Sequence, residues 1–129
     1  MDFGREEILA YAAETFGSEP EYLWASAPEA FILRHRAGGK WYALVMPVRR
    51  DRLGLAEEGT ADVLNLKCGE LLLGSLLGRP GFLPAYHMNK SHWVTVLLDG
   101  TVGEDEIRDL LNISYDLTEV RKKKPKQAE

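Results

Sequence analysis

Gly38-Gly39 sits between two runs rich in branched and aromatic residues, Phe31 to Arg36 and Lys40 to Val48. A two-residue glycine loop supplies the positive φ that primed hairpin turns require, so the runs are expected to pair as antiparallel strands. Such a loop also sets the register: Ala37 opposite Lys40, Arg36 opposite Trp41, Leu33 opposite Leu44. Strand side chains alternate, so the register assigns faces. Phe31, Leu33, His35, Tyr42, Leu44 and Met46 share one face, which reads as core. Ile32, Arg34, Arg36, Trp41, Ala43 and Val45 share the other. Its cations and aromatic ring suit a solvated or ligand-binding face.

The rest of the chain must cover this hairpin. Asp2 to Phe16 reads as a helix with Ile8, Tyr11, Ala12, Thr15 and Phe16 as its apolar stripe, Asp2 as a cap and Gly17 as its stop. Ser18 to Ala30, with Pro20 and Pro28, reads as a loop. Tyr22, Leu23 and Trp24 are expected to anchor it, and a binding role for Trp24 is the sharper alternative. Arg49-Arg50-Asp51-Arg52 reads as an exposed loop, and Leu53 to Thr60 as irregular. Asp62 to Lys67 reads as a third strand, with Leu64 and Leu66 toward the core and Val63, Asn65 and Lys67 away from it. Cys68 to Leu77 reads as a short, well-buried helix stopped by Gly78 and Pro80.

Ala85 to Met88 and His92 to Leu98 read as a second hairpin, turning near Asn89-Lys90. Val94, Val96 and Leu98 face one way with His92, and Trp93, Thr95 and Leu97 the other. Thr101 and Glu104 have capping-box spacing for a last helix, whose stripe is Ile107, Leu110, Leu111, Ser114 and Leu117. The expected fold is an α+β two-layer sandwich in the order α-β-β-β-α-β-β-α. Its antiparallel sheet has helices on one face and the other face left open.

A chain of 129 residues is expected to form one domain, 1–120, followed by a basic, disordered tail, 121–129. No apolar run reaches the roughly 18 residues that span a bilayer. The start, with Asp2, Arg5, Glu6 and Glu7, does not read as a secretory leader, and Cys68 is the only cysteine. A cytoplasmic protein is the expectation, with a monomer as its simplest state. The net charge of -4 is zoned: residues 1–29 and 99–120 are each net -6, while 30–98 and 121–129 are each net +4. Positive charge lies in the strand region and the tail.

The stretch Tyr86-His87-Met88-Asn89-Lys90-Ser91-His92-Trp93, followed by Asp99-Gly100 and Ser114-Tyr115, resembles the MmcQ/YjbR family. Arg34-His35, Gly39-Lys40-Trp41 and Asn65-Leu66-Lys67-Cys68 also look like members of it. The likeness runs from about Ala30 to Thr118. Within it, Tyr86, His87, Asn89, Lys90, His92 and Trp93 form the most specific motif. The resemblance implies a fold like that of the bacterial frataxin CyaY and a double-wing DNA-binding protein. That implication rests on shape and carries over no catalytic residue.

The chemistry of the residues divides three ways. His87 and His92 lie five apart across a turn, but a metal site needs further ligands, and Cys68, Asn89 and Met88 are weak ones. Two structural histidines and no metal are expected. Lys90, His87 and His92 supply bases, and Ser91 and Cys68 nucleophiles, yet none lies in a recognised catalytic motif. Neither enzyme activity nor a cofactor is expected. Nucleic acid binding needs cations for phosphates and rings for bases. Arg34, Arg36, Lys67, Trp41 and Trp93 are expected on the open face, Lys40 and Lys90 on the two wings, and Arg49, Arg50 and Arg52 along the edge. DNA is the expected partner; a protein or a small ligand is the alternative.

Overall fold

The computed structural model describes residues 3–36 and 39–119. In chain order it contains α1 (Arg5–Phe16), β1 (Phe31–Arg34), β2 (Trp41–Arg49), a 3-10 turn (Arg50–Leu53), β3 (Thr60–Lys67), α2 (Gly69–Leu76), β4 (Phe82–Pro84), β5 (Trp93–Leu97) and α3 (Glu104–Thr118). The strands form one antiparallel sheet ordered β1-β2-β3-β5-β4. The expected α+β order is the observed one. Asp2, the Gly38 half of the turn and the basic tail lie outside the described residues.

The first hairpin departs from its expected register. His35 N–H donates to the Lys40 carbonyl and Gly39 N–H to that of Arg36, so the loop is longer than two residues. Arg34 pairs with Trp41, but Leu33 pairs with Ala43, leaving Tyr42 as an extra, bulged residue. The longer loop shifts the pairing by two and the bulge restores one. The net slip of one residue reverses β2: Ala43 and Val45 join Phe31 and Leu33 beneath the helices, while Leu44 pairs with Ile32 and faces the other way with Met46. A bulge places two successive side chains on one side. Tyr42 therefore also packs among the helices, against Phe16, Tyr115 and His35.

Ser114 of α3 stitches the sheet at the bulge. Its hydroxyl accepts from Lys67 N–H at 2.9 Å and donates to the Tyr42 carbonyl at 2.6 Å. Ser114→Ala strands both backbone groups, and a buried group left unpaired costs about 1–3 kcal/mol. Urea unfolding is expected to show that loss. A midpoint equal to the parent's would mean that β2 and β3 close directly without the hydroxyl.

The main core lies between sheet and helices. Leu64 and Leu66 of β3 and Val94 and Val96 of β5 meet Ile8, Ala12, Leu73, Leu76, Ile107, Leu110 and Leu111. α1 begins at Gly4, whose N–H donates to the Glu7 carboxylate at 2.8 Å, and ends at Gly17 with φ 67. α3 begins at Gly103, so the expected Thr101–Glu104 box does not form; Thr101 N–H instead donates to Asp99 Oδ1 at 3.0 Å. Thr118 completes its stripe at 3% exposure, and Leu117 turns outward at 47%. α2 is less buried than its composition suggests, because eight residues offer the core a single face. Leu73 and Leu76 are buried, while Leu71 is 92% exposed.

The second sheet face is not open. Val48, Ala61, Val63 and Leu97 form a smaller cluster there, covered by Met46, Leu53, Leu55, Leu83 and Tyr86. Ile32, Leu44, Asn65 and Thr95 on the same face are also buried. Loops close it from both sides. Glu21 bridges Ile32 on the β1 side. On the other side β4 is Phe82–Pro84, not the expected Ala85–Met88, and the segment after it folds over the sheet. Tyr86 N–H donates to Thr95 Oγ1 at 2.9 Å and to Asn65 Oδ1 at 3.3 Å, and Thr95 Oγ1 donates to Asn65 Oδ1 at 2.5 Å.

Candidate ligand-binding surface

The loop-covered face leaves a trough above β2. Trp24 and Ala27 from the first loop, Trp41, Leu44 and Met46 from β2, and His87 and Met88 from the β4–β5 connection line it, with Ser26 and Ala30. Its volume is about 320 Å³. Trp24 and Trp41 meet edge to face, centroids 5.9 Å apart and planes at 87°. The register slip creates this site: with the expected pairing, Leu44 and Met46 would have faced the helices. Trp24 is half buried against Trp41, whereas Tyr22 and Leu23, expected as anchors, are 55% and 49% exposed. His87 has φ 64, the one positive φ outside glycine among the described residues. Such backbone is uncommon and strained.

The expected cations separate into three groups. Arg34 is clamped by Glu21, with Nε and Nη2 donating to its carboxylate at 2.8 and 2.9 Å. Arg49, Arg50 and Arg52 lie at the far end of β2. Arg49 pairs with Asp51 at 2.6 Å and Arg50 with Glu57 at 3.8 Å. β2 has nine residues, and at about 3.3 Å per residue its ends are roughly 26 Å apart. These arginines therefore do not extend the edge near Lys40.

Arg36, Lys40, Lys67 and Lys90 form the third group and make no ion pair among the described residues. The topology brings them to one end of the sheet. Arg36 follows β1, Lys40 precedes β2, Lys67 closes β3 and Lys90 leads into β5. Trp41 opens β2 there, and Trp93 pairs with Lys67. Both tryptophans are half buried. α3 ends at the same place, where His35 Nε2 lies 3.1 Å from the Tyr115 carbonyl and 3.0 Å from Thr118 Oγ1.

The motif residues mostly hold this end together. Asn89 Oδ1 accepts from Ser91 N–H at 2.8 Å, and its carbonyl accepts from His92 and Trp93 N–H. The His92 carbonyl accepts from Cys68 and Gly69 N–H. Lys90 is exposed in this turn. The second wing is thus not a free hairpin, since Tyr86 ties it to the sheet. His87 lines the trough, whereas His92 lines a separate depression beside Cys68, Leu71 and Leu117. Among the described residues no group of three or more His, Cys, Asp or Glu could hold a metal. Cys68 is 5% exposed, and burial pushes its thiol pKa up, which disfavours the nucleophilic thiolate.

No helix among the described residues is long and apolar enough to cross a membrane. The chain is 40% identical to the protein YyaQ of Bacillus subtilis (strain 168), over 88% of this chain and 97% of that one. It is 32% identical to YbdF of Escherichia coli O157:H7, over 75% and 70%. A crystal structure of a Pseudomonas syringae protein superposes with a TM-score of 0.86 at 40% identity, covering 90% of this chain and 99% of that one. The Deinococcus radiodurans protein DR2400 gives 0.67 at 28% identity, over 96% and 83%. The YjbR family model matches residues 13–117, which takes in every strand, the 86–93 motif and all but the last residue of α3. Fold, motif and relatives agree: the chain belongs to the YjbR family.

Proposed function

We propose that this protein binds nucleic acid, provisionally DNA, at the end of the sheet that carries Arg36, Lys40, Lys67 and Lys90, with no chemical step of its own. The carrying observation is that cations without ion partners among the described residues converge with Trp41 and Trp93 on that end. Cations free of carboxylates are available to phosphates, and aromatic faces to bases. Arg34, Arg49 and Arg50, engaged by acids, drop out of the interface, and Arg52 lies at the wrong end.

Salt dependence tests this. Each phosphate contact on a duplex contributes about 0.9 to the slope of log affinity against log salt, so four contacts predict about -3.6. Binding then weakens about 150-fold between 50 and 200 mM salt. Lys40→Ala should lower the slope by about one and weaken all sequences alike. The basic run Arg121 to Lys126 comes after α3 in the sequence and could bind DNA by charge alone, so it must be tested separately. If truncation after Val120 abolishes binding while Lys40→Ala and Lys67→Ala leave it intact, the folded domain is not the DNA-binding part. The apolar trough favours a second reading, a small-ligand or peptide module, whose binding would be insensitive to salt.

A further inference from the structure

We infer that the trough between Trp24 and Met88 is a base pocket, so that the ligand class is single-stranded rather than duplex nucleic acid. This rests on the proposed nucleic acid reading and narrows it. The trough has the make-up of a site for a flat, mostly apolar group. Two indoles and Leu44, Met46 and Met88 supply most of the lining, and the lining residues that carry polar side-chain groups are Ser26, His87 and, through their indole N–H, Trp24 and Trp41. At about 320 Å³ it falls at the lower limit of small-ligand sites, about 300–1,000 Å³.

Charge complementarity decides the occupant. Lys40 directly precedes Trp41, and Lys90 lies two residues beyond Met88. Trp41 lines the trough and opens β2 at the same end of the sheet that carries these lysines, so the trough adjoins the cationic end. A purely apolar ligand would gain nothing from them. A nucleotide gains from both, placing its base on the indoles and its neighbouring phosphates toward the lysines. A duplex cannot use the trough, because each base inside it is stacked on both faces and paired at its edge. An unpaired base presents a free face to an aromatic wall. His87, a lining residue of the trough, has left-handed backbone, and strain of this kind clusters at ligand clamps.

The test uses the full chain and three probes over one common salt series: a 12-base oligothymidine strand, the same strand with abasic sites, and a 12-base-pair duplex. The oligothymidine strand should bind tightest and quench tryptophan fluorescence. Trp24→Ala should weaken it about 5–150-fold, the range for losing one base–aromatic stack, without changing its salt slope. The same substitution should leave the abasic strand and the duplex unmoved. Met88→Glu, at a half-buried loop position, supplies a second variant that puts a carboxylate into the trough while both indoles stay in place, with circular dichroism confirming the fold of both. Equal binding of strand and duplex, indifferent to Trp24→Ala and Met88→Glu, overturns the base pocket while leaving the proposed function standing. Failure of all three probes to bind overturns both. Saturable binding of free indole by calorimetry, with no oligonucleotide bound, also overturns the inference and makes the trough a small-ligand site.

Discussion

Leu66→Ala is expected to remove about 2–5 kcal/mol of stability, the usual cost of truncating a fully buried leucine. Leu66 is 0% exposed and sits mid-sheet, paired with Ala43 on β2 and Val94 on β5. Its side chain belongs to the cluster that joins the sheet to the helices. The neighbours that would have to close the hole are held by the sheet ladder, so little relaxation is available and the cavity persists. Leu110→Ala, at 3% exposure on α3, should fall in the same range, and Val94→Ala lower, since it removes less volume. Leu117→Ala is the control. The helical pattern makes it core, but it is 47% exposed, so its cost should stay well below that of Leu110→Ala. Guanidinium midpoints for the four variants order these positions directly. A parent-like midpoint for Leu66→Ala would remove β3 from the core.

These substitutions also mark how far the sequence could be read. Element order was legible because each type leaves its own period: 3.6 in α1 and α3, near 2 in β3 and β5. Pro47 did not spoil the reading of β2, since β1 starts at Phe31, opposite Val45, and leaves Pro47 without a partner on that side. The register of the first hairpin was not legible. Residues 31–33 and 41–45 are apolar on both faces, so alternation gave no warning of a slip. The bulge depends on Ser114, 72 residues from Tyr42, and no local rule reports a contact that distant.

The site followed the same pattern. The sequence named Trp41, Trp93, Lys40, Lys67 and Lys90 from chemistry alone, and topology put them at one end. It could not know which arginines are already neutralised. Glu21 reaches Arg34 only because the 18–30 loop returns along β1. Leu44, Met46 and Met88 were missed as trough residues because apolar side chains read as core unless the register is known. The motif Asn89-Lys90-Ser91-His92 was conspicuous for its reactive groups, yet most of its visible bonds close a turn.

Gly81→Ala carries the other large expected effect, and it bears on the site. Gly81 has φ 90, and its carbonyl accepts from Leu97 N–H at 2.9 Å, so it launches β4 against β5. An added Cβ would stand 2.6 Å from Val102 Cγ2 and 3.2 Å from Thr101 Cγ2. Val102 is buried at 5% exposure and packed in the main core, so it cannot simply swing away. A side chain held in a sparsely populated backbone region costs about 1–3 kcal/mol, and overpacking a filled core adds about 1–3 kcal/mol. The two sum to about 2–6 kcal/mol. Gly78→Ala separates them: its φ is 97, but nothing lies within 4 Å of the added carbon, so only the backbone cost applies. The difference between the two denaturation midpoints measures the overlap with Val102. Equal midpoints would mean that Val102 and Thr101 yield freely. If they do not yield, β4 shifts with Gly81, and with it the segment that carries His87 and Met88 over the sheet. Gly81→Ala should then alter tryptophan emission, because Trp24 and Trp41 line the trough together with that segment, while Gly78→Ala should not.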